Sequence, residues 1–231
     1  MKSPIILALD TNDLDTAKNW IEATNDSIDI YKVGLEFYLR FGAQGLRELS
    51  TAGSFSIFLD LKLHDIPNTV SAAVSSVADL APRFLTIHAS GGAAMIKAAS
   101  EAAKEISITA VTILTSLSNQ DLLEIGYSEE AKPAAINLAK LATSNGARSI
   151  VCSPFEAGEI RKAVAPEIEI ITPGVRPAGS ELGDQKRVMT PLEALTAGAN
   201  YIVIGRPITD LAQKSLQDMK DGAAKILDSL K

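Results

Sequence analysis

Short apolar runs alternate with longer stretches of helical periodicity along almost the whole chain. The runs Ile5–Leu9, Ile28–Val33, Ser56–Lys62, Phe84–His88, Ile108–Leu114, Arg148–Cys152, Glu167–Thr172 and Tyr201–Ile204 predict eight strands. Between them, Leu14–Ala23, Leu35–Leu49, Thr69–Leu80, Ala93–Ala103, Pro133–Thr143, Phe155–Val164 and Pro191–Thr196 predict helices, and Thr209–Leu230 predicts a last one. Strand–helix alternation of this kind predicts a parallel sheet covered by helices. Eight such units in 231 residues, with no linker-like break, predict a single (β/α)8 barrel over residues 1–231. An open doubly wound sheet is the alternative. Its glycine-rich turn after the first strand is missing, because Leu9 is followed by Asp10-Thr11-Asn12-Asp13.

A parallel barrel does its chemistry where the strands end. Asp10 ends the first predicted strand, Lys32 closes the second, and Asp60 and Lys62 close the third. Side chains alternate along a strand, so Asp60 and Lys62 are expected to project the same way. Asp65 follows three residues after Lys62, where Ile66-Pro67-Asn68-Thr69 opens a helix. Taken alone, this segment fits a strand-end ion pair beside a helix cap, and such surface pairs contribute little. Asp, Lys, Asp and Lys at the ends of three neighbouring strands favour acid–base machinery instead.

The loops after the seventh and eighth strands are the usual phosphate-binding position in such barrels. Here they read Thr172-Pro173-Gly174-Val175-Arg176 and Ile204-Gly205-Arg206. Glycine lets backbone N–H groups approach an anion, and the arginine fork matches phosphate oxygens. Residues 173–188 form a long, polar, glycine-containing stretch with Gln185 inside it, which fits either a phosphate-gripping lid or a plain loop insertion.

Composition narrows the partners. Hydrophobic residues make up 46% of the chain, enough for a large core. Lys plus Arg is 22 and Asp plus Glu is 28, a net charge of −6 with no basic cluster, which argues against nucleic acid or an anionic membrane as partner. The single cysteine, Cys152, lies in an apolar run and reads as a packed thiol in a reducing cytoplasm. The apolar stretch after Met1-Lys2-Ser3-Pro4 is too short for a signal peptide, and no run reaches membrane-spanning length.

These segments, taken in order, resemble the orotidine 5′-monophosphate decarboxylase family in its compact bacterial form. The matching blocks are Leu9-Asp10, Tyr31-Lys32-Val33-Gly34, Asp60-Leu61-Lys62-Leu63-His64-Asp65-Ile66-Pro67-Asn68-Thr69 and Val111 to Ser116. Thr172 to Arg176, Gly183 to Val188 and Ile204 to Arg206 complete the set, so the resemblance covers the whole chain. The Asp-x-Lys-x-x-Asp core recurs in related sugar-phosphate barrels, while the full block and the two phosphate segments in order are far more specific.

The resemblance implies decarboxylation of orotidine 5′-monophosphate to uridine 5′-monophosphate without cofactor or metal, by a homodimer. It implies Lys62 as proton donor to C6 and Asp60 beside the substrate carboxylate. It assigns Asp10 and Lys32 to the ribose, Thr115 and Ser116 to the pyrimidine edge, and Arg176, Gln185, Gly205 and Arg206 to the phosphate. Asp65 and Thr69 are expected to reach into the partner subunit's site. His64 and His88 are left as supporting residues. Two other readings stay open at this point: a metal-dependent keto-sugar-phosphate decarboxylase or synthase, and a non-catalytic nucleotide-binding barrel.

Overall fold

A strand buried on both faces needs apolar side chains at almost every position, and the strands of this chain meet that requirement. A computed structural model describes residues 3–176 and 189–230. Its strands are β1 (Ile5–Ala8), β2 (Ile30–Val33), β3 (Ser56–Leu63), β4 (Phe84–His88), β5 (Ser107–Val111), β6 (Ser149–Val151), β7 (Glu169–Thr172) and β8 (Tyr201–Ile204). All neighbours are parallel and pair in chain order. β8 returns to β1 through Ile5↔Ile202, Ile6↔Val203 and Leu7↔Ile204, closing the predicted TIM barrel.

The helices are α1 (Leu14–Thr24), α2 (Leu35–Leu49), α3 (Pro67–Ser76), α4 (Gly92–Ala102), α5 (Asn119–Glu124), α6 (Ala131–Ser144), α7 (Pro154–Ala163), α8 (Pro191–Thr196), α9 (Arg206–Thr209) and α10 (Leu216–Asp228). No helix among the described residues is long and apolar enough to cross a membrane.

Two cores result from the alternation along each strand. Inside the barrel, Ile6, Ile30, Phe58, Phe84 and Ile171 form one buried cluster. Phe58 and Phe84 pack edge to face at 5.7 Å, and Phe84 meets Tyr201 in the same manner at 5.8 Å. Outward-facing residues such as Leu7, Tyr31, Leu59 and Leu85 join the larger core beneath the helices. The end of the barrel away from the strand C-termini is closed by Arg83. Its guanidinium stacks over Phe84 and Tyr201, pairs with Glu169 at 2.8 Å and donates to the Tyr201 hydroxyl at 2.6 Å.

The boundaries differ from the sequence expectation where local bonding outweighs the apolar pattern. β2 starts at Ile30 because the N–H groups of Ser27 and Ile28 are used to close α1 on Thr24 O. β5 ends at Val111, and a turn with Leu117 N donating to Leu114 O follows. The expected Thr209–Leu230 helix is broken. α9 and a 3-10 turn at Asp210–Gln213 come first, and Ser215 restarts the helix by accepting from Asp218 N. α5 has no predicted counterpart. It is six residues long and held by a Ser118/Asp121 capping box rather than by an apolar stripe.

One cap on α7 carries a buried charge problem. Glu156 accepts from Ser153 N at 3.2 Å, yet it is only 7% exposed. Burial pushes its carboxyl up from 4.5 to about 7, against the opposing pull of the Ser153 N–H and Lys132. Burial, with Glu156 adding to it, also pushes up the thiol of the neighbouring Cys152. Between pH 4.5 and 7 the folded protein therefore binds a proton at Glu156 that the unfolded chain has lost, and stability falls as pH rises through that window. The loss is on the order of 3 kcal/mol, at ~1.4 kcal/mol per pKa unit. Glu156→Gln is expected to abolish this contribution. Urea unfolding of both proteins at several pH values across the window should show the wild type losing ground to the variant as pH rises. A difference that stays constant with pH would contradict the assignment.

Candidate active site

The C-terminal ends of β1, β2 and β3 bring four charged side chains into one row. The register that pairs Ala8 with Lys32 places Asp10 and Lys32 side by side, with Lys32 Nζ 3.0 Å from Asp10 Oδ1. Lys32 Nζ also lies 3.8 Å from Asp60 Oδ2. Lys62 Nζ donates to both Asp60 oxygens at 2.8 Å. The order is Asp10, Lys32, Asp60, Lys62, with signs alternating along the row. Burial differs sharply within it: side-chain exposure is 66% for Asp10, 14% for Lys32, 13% for Asp60 and 30% for Lys62. A carboxylate as enclosed as Asp60 needs opposite charge and hydrogen bonds around it, and it has them. Gly34 keeps the row open, since a Cβ there would stand 3.2 Å from Lys32 Nζ.

The backbone carrying Asp60 and Lys62 is not a regular strand. β3 and β4 pair as Leu59↔Leu85 and then as Leu63↔Ile87. Asp60, Leu61 and Lys62 thus stand opposite the single residue Thr86, a bulge with two extra residues on β3. Within it Lys62 has φ of 50°, the left-handed region that a non-glycine residue occupies at a cost of about 1–3 kcal/mol. Asp60 and Lys62 meet as expected, but across a bulge rather than by simple strand alternation. Thr86 was not singled out from the sequence. Its only signal was a hydroxyl residue between Phe84 and His88, the inward-facing positions of an otherwise apolar strand.

Two clefts open beside the row. One, of about 140 Å3, is lined by Asp10, Lys32, Asp60, Lys62, Gly34 and Phe37. The other, of about 380 Å3, is lined by Asp10, Thr16, Trp20, Gly205, Arg206 and Thr209. Asp10 borders both. Gly205 and Arg206 lead from β8 into α9, as expected for an anion-binding loop. After β7, Gly174 has φ of 77°, and Arg176 N donates to Met189 O beside a short parallel bridge between Val175 and Met189. Gln185 and residues 177–188 of the expected lid lie outside the described residues.

Among the described residues, the remaining candidates make no hydrogen bond or ion pair with the row. Thr115 and Ser116 occupy the exposed turn beyond β5, several residues past the strand end. Asp65 is exposed, its Oδ1 accepting from Ile66 N at 2.6 Å, and among the described residues it pairs with neither lysine. Thr69 is exposed on the first turn of α3. His64 and His88 pack ring against ring at 5.4 Å. Burial, then the neighbouring His64 and Lys62, lowers the pKa of His88 against the pull of Asp60, which favours the neutral ring. Among the described residues no three His, Cys, Asp or Glu side chains gather as a metal-binding group.

Two ammonium groups flanking a sequestered carboxylate, next to an arginine-bearing cleft, can hold a small polyanion and place a proton donor against it. The model of the orotidine 5′-phosphate decarboxylase / HUMPS family matches residues 3–217. The chain belongs to this family. Relatives within the family are close. The chain is 53% identical over 209 residues to the orotidine 5′-phosphate decarboxylase of Thermobifida fusca, covering 90% of each chain. It is 47% identical over 210 residues to that of Wolbachia pipientis, covering 90% of this chain and 92% of the relative. Among solved structures, orotidine 5′-phosphate decarboxylase from Lactobacillus acidophilus superposes with a TM-score of 0.82 at 32% identity, over 98% of this chain and all of the other. An uncharacterized conserved protein from Geobacillus kaustophilus gives a TM-score of 0.83 at 29% identity, over 99% of this chain.

Proposed function

We propose that this chain converts orotidine 5′-monophosphate to uridine 5′-monophosphate and CO2, the last step of de novo pyrimidine synthesis. The observation that carries the reading is the Lys62–Asp60 contact at 2.8 Å, inside a family whose members at 42–53% identity bear this activity in their names. The reaction breaks the bond between C6 and the carboxylate carbon. The carboxylate leaves as CO2, the bonding electron pair stays on C6, and a proton must replace the lost carbon there.

Lys62 is the group for that step. Its ammonium stands where negative charge develops, which stabilises the transition state, and it then delivers a proton to C6 and regains one from water. Asp60 holds the ammonium in place and stands beside the departing carboxylate of the bound substrate. Lys32 and Asp10 take the ribose hydroxyls, and Thr115 and Ser116 meet the pyrimidine edge. Arg176, Gly205 and Arg206 take the phosphate, with Gln185 reaching from the 173–188 segment acting as a lid. Binding energy gained at the phosphate, away from C6, can be used to assemble the reacting end.

The reading needs no metal or cofactor. It is supported by what Asp60 holds, two lysine ammonium groups and a threonine hydroxyl, where a metal-dependent relative would need free carboxylates. The exposed placement of Asp65 and Thr69, with Asp65 pairing with neither Lys32 nor Lys62 among the described residues, suits a homodimer in which they complete the partner's site. The acidic chain works in the cytoplasm, with no nucleic acid or membrane as partner.

Loss of orotidine 5′-monophosphate absorbance with EDTA present tests the reaction directly. Turnover is expected to persist, and its abolition by the chelator would move the protein to the metal-dependent reading. Lys62→Ala is expected to lower kcat by ~10,000-fold or more, the combined scale of a lost general acid and a lost electrostatic partner. Binding of uridine 5′-monophosphate, measured by calorimetry, should survive, and near-normal turnover by the variant would remove Lys62 from the mechanism. The shared site is checked by mixing inactive Lys62→Ala and Asp65→Ala proteins and letting subunits exchange. One site of each mixed dimer would then be intact, so activity should return. Verified exchange without recovery would confine Asp65 to its own subunit.

A further inference from the structure

Thr86 sits at the centre of the bulge that carries the reacting groups, and its hydroxyl makes two bonds there. Lys62 N donates to Thr86 Oγ1 at 2.8 Å, and Thr86 Oγ1 lies 3.0 Å from Asp60 Oδ1. The direction of both bonds is fixed by chemistry. A backbone N–H can only donate, so the hydroxyl accepts from Lys62, and its one hydrogen is left for the Asp60 carboxylate. Thr86 itself is fully buried. Three residues of β3 stand against this one residue of β4, and the ladder gives Asp60 and Lys62 no regular partner across from it. The hydroxyl supplies what the interrupted ladder does not.

We infer that Thr86 is a positioning residue for the reaction: its hydroxyl ties the carboxylate of Asp60 to the left-handed backbone of Lys62 and so fixes the angle at which the lysine meets the substrate. Thr86 acts through Asp60 and Lys62, and the inference rests on the decarboxylase reading above. The same side chain holds the carboxylate at one end of the ion pair and the main chain at the other. Without it, Lys62 can relax out of its φ of 50°, and Asp60 keeps only its lysine contacts to orient it. The β-branched Thr suits this position, because its methyl can pack in the barrel interior while the hydroxyl faces the bulge.

The role is separable from simple packing. Thr86→Val keeps the shape and removes the hydroxyl, Thr86→Ala removes hydroxyl and methyl together, and Thr86→Ser keeps the hydroxyl and loses only the methyl. The expected result is a kcat lower by about tenfold to a hundredfold in the Val and Ala variants, since a displacement of about 1 Å can cost that much. The Ser variant should stay within about threefold of the wild type, and uridine 5′-monophosphate affinity and Tm should change far less than kcat in all of them. If the Val variant does not fold, the Ala-to-Ser ratio of kcat gives the same answer. Equal kcat in the Ala and Ser variants would overturn the inference, as would a loss of kcat matched by equal losses of affinity and Tm. Wild-type protein that fails to decarboxylate orotidine 5′-monophosphate would sink the functional reading itself. Normal wild-type turnover beside indifferent Thr86 variants would sink only the positioning role.

Discussion

The Asp60 carboxylate is the point on which the rest of the site depends. It is 13% exposed, and a charge so enclosed is tolerated only where partners replace the water it has lost. Lys62 meets both of its oxygens at 2.8 Å, Lys32 approaches one at 3.8 Å, and the Thr86 hydroxyl approaches the other at 3.0 Å. These partners come from β2, β3 and β4, so the carboxylate is satisfied only when three neighbouring strands stand in register. Removing one lysine would strand a buried negative charge, and removing Asp60 would leave two ammonium groups facing each other. The row holds together as a unit, which makes it strict in geometry.

The fold keeps that strictness away from its own stability. The end of the barrel opposite the row is closed by the Arg83–Glu169–Tyr201 group stacked on Phe84, and Ile6, Ile30, Phe58, Phe84 and Ile171 fill the space between. A parallel barrel can therefore carry a bulge and a left-handed lysine at one end while the ladder stays regular at the other. The irregular part of this pairing is confined to Asp60–Lys62. Strain at this place is affordable because the layers beneath are rigid, apolar and fully buried.

Much of this was legible in the sequence because the pattern there is physical necessity. β4 and β8 have the expected bounds, since an apolar run closed by polar residues at both ends has one way to lie in a parallel sheet. α2 has its expected bounds despite a kink at Gly42, because its apolar stripe continues past the kink. The charged strand ends were legible for the same reason: Asp10, Lys32, Asp60 and Lys62 interrupt apolar runs. The bulge was not. A two-residue alternation puts Asp60 and Lys62 on one face whether or not the strand is regular, so the right contact was reached with the wrong backbone. Thr86 was hidden because a single threonine among Phe, Leu and Ile reads as an ordinary strand former. The break before α10 depends on one serine cap, and the exposure of Asp65 and Thr69 depends on where α3 begins. None of these leaves a periodic trace.

The arginine-bearing cleft and the lysine row form one surface, and Asp10 is where they join. It closes one cleft with Lys32 and borders the other beside Arg206. A Cβ at Gly205 would stand 3.9 Å from Asp10 Oδ2 and 3.5 Å from Ala8 Cβ, so the loop after β8 lies against the end of β1. That adjacency follows from barrel closure, because β8 pairs with β1 only after the chain has gone once around. In an open sheet with the same strand order the first and last strands would lie at opposite edges, and the loop carrying Gly205 and Arg206 would be remote from the lysines. Closure thus does more than bury the strand edges. It brings the residues around 205 to the residue at 10, and through Asp10 and Lys32 it links the arginine-bearing cleft to the carboxylate that holds Lys62. In the proposed reaction, binding energy gained at the phosphate would be coupled to Lys62 across only two intervening side chains.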